Sequence, residues 1–249
     1  GTVVADMSGQ TLILGGYSGG TVRNEGVLRA TGGGILDVNN LTGNLGMASA
    51  DTGGVLDLDG TYVIDQALEV VAATLTLQGD WANTSEINAT DSTVNLIGTF
   101  TLADLGTLNR SGGTVDVSGV FDLAGGGLVL DATTGSWQLN GGTIKGGELE
   151  FRDGSQLVVV ANSSNLLDGV TLESDLYLSI TDARVRIVNG LVLNATIHMS
   201  GSGCALGFVG TQTVSTEGVP ASGTIAYEGT GGNSRRIEMA AAGTVTLGV

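Results

Sequence analysis

The sequence predicts an all-β chain folded as a single-stranded right-handed parallel β-helix (a β-solenoid) with about three strands per coil. Three observations predict it. The first is repetition: Gly147-Glu148-Leu149-Glu150-Phe151 returns as Ser174-Asp175-Leu176-Tyr177-Leu178, as Ala195-Thr196-Ile197-His198-Met199 and as Gly223-Thr224-Ile225-Ala226-Tyr227, at steps of 27, 21 and 28 residues. A strand that recurs with a period in the twenties marks stacked coils, each covering the apolar end of the one before. The second is alternation of apolar and polar residues over four to six positions, closed by Gly, Asn, Asp or Ser, which sends one face inward and one outward. The third is the near absence of Gly-free segments with apolar residues at i, i+3, i+4 and i+7. A sandwich pairs distant strands and shows no constant step, so the repeat decides for the solenoid. Handedness follows from the chirality of parallel crossovers, not from the spacing.

Taken in order, Thr11-Leu12-Ile13-Leu14, Ile35-Leu36-Asp37-Val38, Val55-Leu56-Asp57-Leu58, Thr93-Val94-Asn95-Leu96-Ile97, Thr114-Val115-Asp116-Val117 and Leu128-Val129-Leu130 all alternate as strands. Residues 65–74 have the best helical pattern, but Val70-Val71 and the following Leu75-Thr76-Leu77 favour strands. Columns cannot be assigned in residues 1–140, where the coils are less regular; residues 141–249 align clearly. There a second column is read as 155–160, 183–188 and 204–209. It has Leu157/Val185/Leu206 and Val159/Ile187/Phe208 inward, and Gln156/Arg184/Ala205 and Val158/Arg186/Gly207 outward. A third column holds 169–172, 190–193 and 210–214. The whole of residues 1–249 is expected to form one β-helix, with Gly at corners and aliphatic side chains stacked about 4.8 Å apart on a single interior axis.

Two stretches carry a resemblance. Arg23-Asn24-Glu25-Gly26-Val27-Leu28-Arg29-Ala30-Thr31-Gly32-Gly33-Gly34-Ile35-Leu36-Asp37-Val38 and Ser136-Trp137-Gln138-Leu139-Asn140-Gly141-Gly142-Thr143-Ile144-Lys145-Gly146-Gly147-Glu148-Leu149 resemble large bacterial exported β-helical repeat proteins, such as autotransporter passengers and filamentous-haemagglutinin-like exoproteins. The likeness covers most of the chain and rests on repeat grammar. It implies a secreted or cell-surface structural or adhesive segment without catalytic activity, and it transfers no catalytic residue. Its implied partners are glycans, host or matrix surfaces, or identical molecules stacked end to end. The chain starts at Gly1-Thr2-Val3-Val4 and ends in the strand-like run from Thr244 to Val249, so a segment of a longer protein is expected.

Composition excludes several classes. A net charge of −16 with nine basic residues leaves no basic stripe for nucleic acid or anionic membranes. No apolar run of about 18 residues is present to insert into a bilayer as a helix. One Cys precludes an intrachain disulfide, and one Pro among 43 Gly precludes collagen.

Chemistry is sparse. The best cluster is Glu148, Glu150 and Arg152 with Asp175, Tyr177 and His198, in which Glu150, Tyr177 and His198 are read as one outward column. A carboxylate, a phenol and an imidazole in a row suit sugar binding or proton transfer, the alternative function being a carbohydrate-binding or polysaccharide-processing β-helix. The same residues also fit an ordinary solvated face. No cofactor is expected beyond weak surface calcium on Asp57 and Asp59, or on Asp116 and Asp122, and no calcium-binding repeat or zinc ligand set is present. Cys204 aligns with Ala183 as a small core filler. Trp81 or Trp137, if exposed, can stack on a sugar; Trp137 alternates with Leu139, which points to burial. Threonine pairs of the kind that order water on a flat face (74/76, 99/101, 211/213, 244/246) do not recur once per coil in one column. Asn-x-Ser/Thr occurs at Asn40, Asn83, Asn88, Asn109, Asn162 and Asn194. Arg184/Arg186 and Arg235-Arg236 read as local pairs.

Overall fold

The structure, a computed structural model, describes residues 1–16, 19–217, 223–229, 232 and 234–248. Val249, the last residue of the terminal run, lies outside them. The fold is all-β: parallel strands stack as a β-solenoid, with about ten turns in the chain. One helix occurs among the described residues, Leu102–Leu105, where Thr101 and Asp104 form a reciprocal capping box. The segment with the best helical pattern is the strand Leu68–Val71. The chain divides into two compact units, Gly1–Gly119 and Val120–Val249.

In the first unit, one face stacks Thr2–Ala5, Val27–Ala30, Met47–Asp51, Leu68–Val71, Glu86–Thr90 and Thr107–Ser111 as a parallel sheet. The next face carries the register that the sequence leaves open. Leu12, Leu36, Leu56, Leu75, Val94 and Val115 sit one above another, and so do Leu14, Val38, Leu58, Leu77, Leu96 and Val117. From Leu36 and Val38 onward every member is fully buried. Each side chain shields the next, so the core is a continuous aliphatic column.

The chain turns onto a third face at a column of glycines. A Cβ on Gly60 would lie 2.1 Å from the Leu41 carbonyl oxygen, and one on Gly79, Gly98 or Gly119 would lie 2.2 Å from the carbonyl oxygen of the glycine one coil earlier. Only glycine permits that approach. Two residues past the first three of these corners stand Tyr62, Trp81 and Phe100, all buried. Tyr62 pairs in register with Trp81, whose ring stacks on Phe100 at 5.0 Å between centroids.

In the second unit, Phe121, Ile144, Leu167, Ile187, Phe208 and Met239 form one ladder. Leu128, Leu149, Leu172 and Leu193 form another. Leu176, Ile197 and Ile225 form a third, with Leu178, Met199 and Tyr227 beside it. Asn165, fully buried, fastens a corner: it accepts from the Gly141 amide and donates to the carbonyls of Val160 and Arg184. In the last coil the inward positions emerge, with Tyr227, Ile237 and Leu247 exposed.

The register confirms part of the alignment and corrects part. Segments 174–178, 195–199 and 223–227 stack as read. So do Val185 on Leu206, Ile187 on Phe208, and Val170 on Leu191, whereas Leu191 meets segment 210–214 only at its last residue, Val214. Segment 147–151 does not join the first column; Glu148 and Leu149 pair with Thr171 and Leu172, on the face read as the third column. Leu157 and Val159 do not lie under Val185 and Ile187 but pair with Trp137 and Leu139; Leu167 and Asn165 occupy the coil beneath. The slip arises because every face carries the same apolar-x-apolar unit. An alignment by pattern cannot then tell a step of one coil from a step of one coil plus a face.

Candidate functional site

Of the six clustered residues, Tyr177, His198 and Asp175 meet. Tyr177 alternates outward between Leu176 and Leu178, and His198 outward between Ile197 and Met199, all four neighbours being buried. Strand register places Tyr177 against His198, and the rings stack at 4.4 Å between centroids, 5° from parallel. The imidazole Nδ1 lies 2.8 Å from Glu228 Oε1 and Nε2 lies 3.2 Å from Asp175 Oδ2. Two acceptors on two ring nitrogens are satisfied fully only by the imidazolium, which donates from both. Burial works to lower the pKa of His198, but the hydrogen bonds and charges of Glu228 and Asp175 outweigh it and raise the pKa. Asp175 also accepts from the Thr196 amide at 2.8 Å, so its carboxylate is held in place.

Glu150 does not stand in this column. It lies on the neighbouring face, paired in register with Val129, and Arg152 grips both its oxygens at 2.6 Å. Glu148 sits between Gly127 and Thr171 on the same face. The structure nevertheless brings Arg152 to the Tyr177 side. Phe151 is tied through its amide and carbonyl to Ser174 Oγ, at 2.9 and 3.2 Å. Asp153 and Gly154 then turn the chain with φ of 55° and 79°.

At this turn one sheet ends with the strand Leu157–Val159, and a separate three-stranded sheet begins with Leu176–Leu178. An open groove of about 400 Å³ lies there, lined by Arg152, Gln156, Ser174, Asp175 and Tyr177 with the Asp153–Gly154 turn. It offers an aromatic ring, a carboxylate, a guanidinium and an amide. Glu228, Gln156 and Ser174 are not among the clustered residues that the sequence singles out, although Gln156 is read there as outward. Glu228 was legible as the next outward position after Ala226, which pairs with His198; Gln156 and Ser174 become neighbours only through the turn.

The other candidates are occupied or enclosed. Trp81 and Trp137 are both buried, stacked on Phe100 and Phe121 respectively, so neither indole faces a ligand. Cys204 is fully buried beside Ala183; burial raises its pKa and outweighs the opposing charge of Arg235. Asp57 accepts from Gln78 at 2.6 Å, and burial pushes its pKa up, aided by Asp37 and Asp59. Asp122 is paired with Lys145 at 2.8 Å. Among the described residues no three His, Cys, Asp or Glu side chains are grouped to hold a metal ion, and no helix is long and apolar enough to cross a membrane. Asn83 is buried and bonded to the carbonyls of Leu105 and Thr107, which removes it as a glycan acceptor. The threonine pairs do not share one column, as expected: Thr213 stacks on Thr246, whereas Thr74 and Thr76 lie in a different sheet, where Thr93 and Thr114 continue the Thr74 column and Ile35 and Val55 occupy its preceding rungs. Arg184 and Arg236 both approach Glu238, at 3.8 and 3.3 Å. The chain matches no protein-family model, no curated protein and no solved structure.

Proposed function

We propose that the chain is a non-catalytic structural or adhesive segment of a bacterial exoprotein, displayed at the cell surface or secreted. The observation that carries this reading is the outward ladder. Glu69, Asn88 and Asn109 occupy one position on three successive coils, and Asn88 and Asn109 each bond the side chain one coil earlier, at 2.7 and 2.8 Å. A fully buried aliphatic core holds such ladders at the rung spacing. A surface of repeated ligands then gains from weak contacts made many times over. Its partners are glycans, host or matrix surfaces, or copies of itself, with no nucleic acid, no membrane insertion and no cofactor. The test is adhesion of beads bearing the chain at high density to matrix- and glycan-coated surfaces, beside the soluble monomer. Density-dependent retention at least about 100-fold above monomer binding is expected; beads that adhere to none of the surfaces would reject the adhesive role.

A second reading is favoured by the groove beside Tyr177: carbohydrate binding. It does not need Glu150, which Arg152 holds on the neighbouring face. Incubation with a panel of polysaccharides separates binding from processing. New reducing ends or unsaturated products would overturn the non-catalytic assignment.

A further inference from the structure

We infer that the groove between the Asp153–Gly154 turn and Tyr177 is a subsite for uncharged saccharide, with Tyr177 as the platform and Asp175 and Gln156 as the groups that read hydroxyls. The inference rests on the carbohydrate reading of this groove and adds the class of sugar and the residues that select it.

Shape comes first. The groove has about 400 Å³, towards the lower end of the range of about 300–1,000 Å³ usual for ligand sites. It lies where the ladder between successive coils is interrupted, so the wall is not a flat sheet face. His198 stacks on one face of Tyr177, which fixes the phenol ring, and Tyr177 lines the groove. A ring immobilised in advance loses little side-chain entropy when a sugar packs its C–H face against it.

Charge selects among sugars. The groove's one guanidinium, Arg152, is bidentate with Glu150 and is offset further by Asp131 and Asp153. His198 sits between two carboxylates, Asp175 and Glu228, so that trio carries at least one negative charge even with the imidazole protonated. Asp153 adds another at the turn. The balance is negative in a chain of net charge −16, so a uronate or sulfated sugar meets repulsion with no spare cation to receive it. A neutral sugar meets carboxylate and amide acceptors and donors without that penalty. Asp175 is already oriented by the Thr196 amide and His198, so it is positioned before a hydroxyl arrives.

The test is an amide-resolved NMR titration of the full chain with neutral gluco-, manno- and galacto-oligosaccharides, and in parallel with oligogalacturonate. Saturable shifts confined to residues 152–156 and 174–177 are expected for at least one neutral sugar, with oligogalacturonate at least about tenfold weaker, roughly 1.4 kcal/mol. Gln156→Ala, which leaves the ring stack intact, should weaken binding about tenfold without changing the melting temperature; Tyr177→Ala should abolish it. If oligogalacturonate binds this groove as tightly as the neutral sugars, the assigned class falls while the carbohydrate reading stands. If a neutral sugar shifts residues elsewhere, or Gln156→Ala binds like the parent chain, the site assignment falls. If no saccharide of either kind shifts any amide, the inference and the carbohydrate reading fall together.

Discussion

Tyr177 and His198 stand one coil apart in register, with ring centroids 4.4 Å apart, and the imidazole spans from Asp175 in the earlier coil to Glu228 in the later one. One histidine thus joins three successive passes of the chain. Its side chain is only 17% exposed, so solvent screens these contacts incompletely.

This arrangement sets a pH dependence with a defined sign. The folded-state pKa of His198 is raised, whereas an unfolded histidine titrates near about 6.5. Its stabilising contribution is therefore complete below about pH 6.5 and is lost as pH rises through the folded value. Melting curves of the parent chain and His198→Phe, which retains an aromatic ring against Tyr177, should differ most at acidic pH and converge at alkaline pH. Parallel curves across the range would contradict the clamp.

Gly43 and Gly79 share a φ of 79°, but only Gly79 is enclosed: a Cβ there meets the Gly60 oxygen at 2.2 Å, whereas nothing lies within 4 Å of one on Gly43. Gly43→Ala should cost about 1 kcal/mol, the left-handed conformation alone. Gly79→Ala should cost at least about 2 kcal/mol more, because two backbones must separate. Urea denaturation of the two variants measures the difference; equal midpoints would remove the steric role of the corner.

Leu58 is fully buried between Val38 and Leu77, whereas Leu12 begins its ladder and is 43% exposed. Leu58→Ala should destabilise by about 2–5 kcal/mol and Leu12→Ala by less than about 1 kcal/mol. Denaturant midpoints in the reverse order would contradict the interior column.

Asn165→Ala removes the side-chain partner of the Gly141 amide and of the Arg184 carbonyl, while the Val160 carbonyl keeps the Asn162 amide at 2.8 Å. The expected loss is about 2–4 kcal/mol, with faster hydrogen exchange at the Gly141 amide. Unchanged exchange there would show that the corner does not depend on this side chain.

Cys204 should resist a thiol reagent in the native protein and react fully in denaturant, because burial both encloses the thiol and raises its pKa. Stoichiometric labelling without denaturant would place it at the surface.

Much of this was legible before the fold. The stacking of Ile197 on Leu176 and of Leu206 on Val185 follows from alternation and spacing alone. A further signal lay unread in the first unit: Gly60-Thr61-Tyr62, Gly79-Asp80-Trp81 and Gly98-Thr99-Phe100 repeat a glycine followed two residues later by an aromatic, 19 residues apart. That repeat marks the third face directly. The groove was less legible. Arg152, Gln156 and Tyr177 become neighbours through the turn at Asp153, a non-glycine residue with φ of 55°.

Sequence alone therefore determined the inward and outward alternation along most strands (Ala205, read as outward, is buried) and that coils stack in parallel, because side-chain period two and a recurring strand are local properties of the chain. Only the tertiary structure decided which coil rests on which face, and so parted Glu150 from Tyr177 while joining His198 to Glu228. The physical reason is degeneracy. Leu149, Leu157 and Leu176 sit in equivalent apolar alternations, and the choice among their partners is made by corner dihedrals and by buried hydrogen bonds such as those of Asn165.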